Sequence, residues 1–192
     1  PDAEASLAVH PTQLYESLVG VCLLVLLLWL RGRQRFRGQI FLVFTFVYGA
    51  ARFALELVRD DIERGNVPPA LAEHLLIPIA LGLFAGAFIV GIAPALRAGA
   101  IRTAASVAAL APAVAAFVLL RPSELAPAAV IKLSTSQAIG LGTGVAAAVV
   151  YGVFHRAALA HPEAAMALNL PPEAFADDEG DDGDEADAAS TD

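Results

Sequence analysis

Charge is scarce in this sequence: 17% of its 192 residues are Asp, Glu, Lys or Arg, while 57% are hydrophobic. The sparse charge separates apolar blocks about as long as a bilayer crossing, which excludes an ordinary water-soluble domain. Cysteine is nearly missing. The single one, Cys22, lies inside an apolar run and is expected in the core or facing lipid, so neither a disulfide framework nor a cysteine metal site is available within the chain. The short alternating segments of a membrane β-barrel are absent too, because the apolar runs are continuous. His10, His74, His155 and His161 have no ligand-like spacing, so no metal and no cofactor is expected.

Positive charge is not in excess either. The net charge is −8, a sign that argues against a nucleic-acid partner, but Asp177, Asp178, Glu179, Asp181, Asp182, Asp184, Glu185, Asp187 and Asp192 supply nine of the acids. Without them the chain carries +1. An acidic run with almost no apolar content cannot offset its ordering entropy, so 177–192 reads as a disordered, solvated tail.

What is present is a set of five apolar blocks, near 14–30, 40–58, 71–96, 103–120 and 137–154. Each is long enough to span, with modest tilt in the longer ones, which predicts an all-α polytopic transmembrane bundle. Arg31, Arg33, Arg35 and Arg37 crowd the first connection, Arg97 and Arg102 the third, and Arg156 follows the fifth block. Lys and Arg in short loops mark the cytoplasmic side. Seven basic residues on that side stand against four on the other, Arg59, Arg64, Arg121 and Lys132, so the N-terminus is expected outside and the acidic tail in the cytoplasm. Gly82 and Gly86, and Gly140 and Gly144, place small residues four apart and read as close helix contacts. Pro78, Pro94 and Pro112 read as kinks.

Polar residues gather at the external ends of the first two helices. The segment His10-Pro11-Thr12-Gln13-Leu14-Tyr15-Glu16 is explicable as a helix start, with Pro11 in the first turn and Glu16 near the positive end of the dipole. His10, Gln13 and Tyr15 are nevertheless richer in hydrogen-bonding groups than a start requires. On the second helix Tyr48, Arg52 and Glu56 fall at i, i+4 and i+8 on one face, with Arg59 three residues beyond. A charge at a membrane helix centre costs about 2.5–3.5 kcal/mol on insertion scales, so Arg52 and Glu56 should face protein or water. Two readings are open: a self-neutralising pair that locks helices together, or an anion site in which Arg52 takes a phosphate, Glu56 holds it and Tyr48 adds a hydroxyl.

The run HPTQLYE, an apolar helix, a basic loop ending RFRGQ, and then YGAARFALELVRDDIERG resembles the C-terminal half of bacterial prolipoprotein diacylglyceryl transferases over about 9–65. The likeness resumes at Leu133-Ser134-Thr135-Ser136-Gln137, similar to the start of the family's last membrane helix. It implies a division into a family-like segment at 1–65, an insertion with two extra helices at 66–132, a last helix at 133–156 and a cytoplasmic tail at 157–192. The family's N-terminal motifs have no counterpart in these residues, and the start at Pro1 without a signal segment reads as a piece of a longer protein.

The activity implied by the resemblance is transfer of the diacylglyceryl group of phosphatidylglycerol to a prolipoprotein lipobox cysteine at the bacterial inner membrane. Arg52 and Glu56 would be its catalytic residues, and Tyr48, Arg59, His10, Gln13 and Tyr15 would bind substrate, with His10 also a candidate base. Cys22 is not itself a lipobox cysteine, because bulky Val21 precedes it. The alternative is a non-catalytic relative that binds lipid or a partner through the same ridge.

Overall fold

The structure, a computed structural model, describes residues 12–58, 67–122 and 129–166. Five helices carry it: α1 (Thr12–Arg31), α2 (Gln39–Val58), α3 (Glu73–Ala87), α4 (Ala100–Leu119) and α5 (Thr135–Ala160). Two short strands, β1 (Val67–Ala72) and β2 (Val130–Leu133), pair antiparallel. With the turns that extend α3 to Ala95, all five helices are long and apolar enough to cross a membrane. The chain is a polytopic helical membrane protein, as its hydropathy implied.

Chain reversals at the basic end use glycine where the backbone requires it. Gly38 turns the chain into α2 at φ +88° and Gly99 turns it into α4 at φ +91°, a region that side chains disfavour. At that end the Arg35 Nη1 donates to the Ala95 carbonyl (3.4 Å) and the Arg37 amide to the Ala165 carbonyl (2.9 Å). The basic connections therefore gather at one end of the bundle.

α2 and α5 form the central pair. Their backbones approach so closely at Gly49 that a Cβ there would lie 2.5 Å from the Gly140 carbonyl oxygen, and a Cβ on Gly144 would lie 2.7 Å from the Phe84 ring. Between helices in lipid the driving force is packing, and small residues permit it. α3 completes the core: Phe84 meets Phe46 and Phe53 edge to face, at 6.1 and 5.8 Å between ring centroids, and Phe53 is fully buried.

Past Ala87 the ladder of α3 widens into a π turn, Phe88–Ile92, with the Ala93 amide bonded to the Phe88 carbonyl, and ends in a 3-10 turn, Ala93–Ala95. The widened turn seats Gly91 against α5, where an added Cβ would overlap the Ala148 carbonyl and where Gly152 faces it. The close contacts thus use Gly49, Gly91, Gly140, Gly144 and Gly152. Gly82 and Gly86 do not take part, having nothing within 4 Å of a Cβ, because they lie on faces of α3 turned away from α5 and α2.

The third helix also begins later than its hydropathy implies. Leu71 and Ala72 belong to β1, paired with Ile131 and Val130, since Pro68 and Pro69 hold the approach extended. The β1–β2 ribbon brings together the two ends of the segment that carries α3 and α4. α4 buries only Ala113 and lies along α3, while α1 buries only Leu23 and lies along α2.

Candidate functional site

At the end opposite the basic connections, three helices converge on one guanidinium. Arg52 lies six residues before the end of α2, so its long side chain can reach the rim of the apolar region. Ser134 caps α5: its hydroxyl accepts from the Gln137 amide (3.1 Å) while the Gln137 side chain accepts from the Ser134 amide (3.0 Å). This capping box fixes where α5 starts and therefore where Ser136, in its first turn, points. The Ser136 hydroxyl accepts from Arg52 Nε at 2.8 Å.

From α1, one turn past its start, Glu16 accepts from Arg52 Nη1 at 2.5 Å. Glu56, one turn along α2, is 7% exposed and its Oε2 lies 3.6 Å from Arg52 Nη2. That separation is an ion pair without a hydrogen bond, and Oε2 has no hydrogen-bond partner among the described residues. Nη2 therefore keeps its donors while Nε and Nη1 are spoken for. Tyr48 stands a turn below, about half exposed and stacked on Phe44 at 5.5 Å. With Glu16, Val19, Gly20, Leu23, Arg52 and Leu55 it lines a cleft of about 260 Å³ between α1 and α2.

Arg52 and Tyr48 thus share a cleft, with Glu56 buried beside them. Gln13 and Tyr15 lie on α1 outside that lining, with Gln13 presenting its carbonyl to the Ser17 hydroxyl at 2.9 Å. His10 and Arg59 lie outside the described residues, as does the acidic tail. Glu16 enters the site as the nearest carboxylate to Arg52, beyond the helix-dipole role read for it. Ser136 was missed altogether, although the Ser134-x-x-Gln137 spacing announces a capping box and could have placed it. A planar fork hydrogen-bonded through Nε and Nη1 and only loosely paired through Nη2, beside a hydroxyl and an apolar wall, is suited to an anionic group carried on a hydrocarbon.

Residues 1–119, more than half the chain, match the family model for prolipoprotein diacylglyceryl transferase. The chain belongs to this family. The match takes in α1 to α4, including much of 66–132, and ends before α5. Among curated members, the phosphatidylglycerol–prolipoprotein diacylglyceryl transferase of Clostridium tetani is 33% identical over 86 residues, 44% of this chain and 34% of that one. The enzyme of the same name from Methylobacillus flagellatus is 45% identical over 56 residues, 29% and 22% of the two chains. That of Bordetella parapertussis is 38% identical over 85 residues, 42% and 32%. The chain spans about a third or less of the length of these relatives. No solved structure gives a significant match.

Proposed function

We propose that this chain is the phosphate-holding part of a diacylglyceryl transferase that moves the diacylglyceryl group of phosphatidylglycerol onto the lipobox cysteine of a prolipoprotein. The observation that carries the reading is Arg52, a guanidinium in a membrane helix, bonded by Glu16 and Ser136, ion-paired through Nη2 with Glu56, and lining the Tyr48 cleft. In the reaction the cysteine thiol gives up its proton, its sulfur bonds to the glycerol carbon, the carbon–oxygen bond to phosphate breaks, and glycerol phosphate departs with the electron pair, the proton passing to it or to water. Arg52 stabilises the charge gathering on that phosphate, Glu16 and Glu56 orient it, and Tyr48 donates to the head group. Two carboxylates face one guanidinium, so an arriving phosphate calls for a second cation, the role assigned to Arg59. Gln13, Tyr15 and His10 would border the head group from α1.

In this reading the Arg52 end faces outward at the bacterial inner membrane, the basic connections and the acidic tail face the cytoplasm, and 66–132 braces the family-like helices. The test is mass gain of a lipobox peptide with phosphatidylglycerol as donor, in the enzyme carrying this chain. Arg52→Lys keeps the charge but loses the fork, and is expected to lower transfer by about tenfold or more with normal membrane insertion. Unchanged turnover in that variant would reduce the cleft to a lipid- or partner-binding feature.

A further inference from the structure

A second cleft lies at the basic end, remote from Arg52. It has a volume of about 300 Å³ and runs between α1, α2 and the π turn, walled by Leu26, Val43, Val47, Phe88 and Ile92. The buried polar side chains in its wall, Tyr151 and Gln39, are hydrogen-bonded: the Gln39 side-chain amide donates to the Tyr151 hydroxyl (3.0 Å) and its carbonyl accepts from the Arg35 backbone amide (2.6 Å). An apolar wall whose buried polar groups are already paired suits hydrocarbon better than water or a sugar.

Two exposed arginines stand among the lining residues of this cleft. Arg33 lies over the Trp29 ring at 4.3 Å, bonded to the Trp29 carbonyl at 3.1 Å, and Arg35 reaches the Ala95 carbonyl only at 3.4 Å. Among the described residues neither forms an ion pair. We propose that this cleft is a binding site for an anionic phospholipid of the leaflet at the basic end, one acyl chain between α1 and the π turn and its phosphate on Arg33 and Arg35. Such a lipid fills the gap beside α1, which buries only Leu23 of its own. It is independent of the transfer site, which lies at the other end of the bundle.

Trp29, the only tryptophan in the chain, reports on this cleft. The experiment titrates the purified full chain in detergent micelles with acyl-brominated phosphatidylglycerol or phosphatidylcholine and follows quenching, with Trp29→Phe identifying the signal. Half-maximal quenching is expected at a mole fraction about tenfold lower for the anionic lipid, from two basic residues at the membrane surface. The double variant R33Q/R35Q should lose that preference and R33K/R35K keep much of it. R31Q/R37Q, which removes the same charge away from the cleft, should retain the preference. Filling the cleft with Val43→Phe and Val47→Phe should weaken quenching by both lipids, checked for unchanged helix content and elution. Free glycerol phosphate should not displace the lipid. Equal response to the two lipids, equal loss in R31Q/R37Q, unaltered binding in the filled variant, or displacement by glycerol phosphate would each overturn the site.

Discussion

Arg52 is bonded by two helices other than its own, and this sets the expected response of its neighbours. Glu16 donates no shape to the cleft that glutamine lacks, but its charge holds Nη1, so Glu16→Gln should weaken a hydrogen bond to a charged group. Because Glu16 is 44% exposed, solvent screening keeps the effect modest. Glu16→Gln and Ser136→Ala are each expected to slow transfer by about three- to tenfold, with little change in membrane insertion, in the lipobox peptide assay. A Ser136→Ala enzyme with parent activity would remove α5 from the site. The Tyr48, Arg52 and Glu56 stripe was legible from helical spacing, because all three lie on one element. Glu16 and Ser136 as partners of Arg52 were not, because spacing along a chain does not say which turn of another helix comes alongside.

Among the elements, the helices were legible within a few residues at most ends, since continuous apolar length decides both the sequence reading and the membrane fit. What hydropathy cannot see is how the backbone departs from it. The π turn at Phe88–Ile92 is as apolar as the helix before it, and only contact with α5 explains why Gly91 is needed there. Gly82 and Gly86 share the four-residue spacing of Gly140 and Gly144, yet only the second pair packs closely, with Gly49, Gly91 and Gly152 making the remaining contacts. Gly49→Ala and Gly91→Ala are therefore expected to destabilise the bundle by about 1–3 kcal/mol, through overpacking against a backbone carbonyl. Gly82→Ala and Gly86→Ala should be near neutral. Thermal unfolding in detergent compares the four directly, and a tolerated Gly91→Ala would contradict the packing described for the π turn. The same packing puts Leu76, Ile77, Ala80 and Phe84 of α3 in the core, so removal of 66–132 is expected to unfold the bundle.

For the whole molecule, five helices long enough to cross would put the two ends of the described bundle on opposite sides, and the proposed orientation takes the gathered arginines as its cytoplasmic side. External protease on sealed, right-side-out vesicles should leave the acidic tail uncut until the membrane is opened; cleavage before that would invert the orientation. The account rests most heavily on Arg52 acting as a ligand for lipid phosphate and not as a brace between α1, α2 and α5. A charge cluster that is partly buried can often be exchanged for neutral groups without loss of stability, which separates the two roles. The measurement is diacylglyceryl transfer by the neutral triple variant Glu16→Gln, Arg52→Met, Glu56→Gln, read as mass gain of a lipobox peptide beside a check of insertion and unfolding temperature. The variant is expected to insert and unfold like the parent and to transfer no lipid; turnover near that of the parent would contradict a phosphate-binding Arg52.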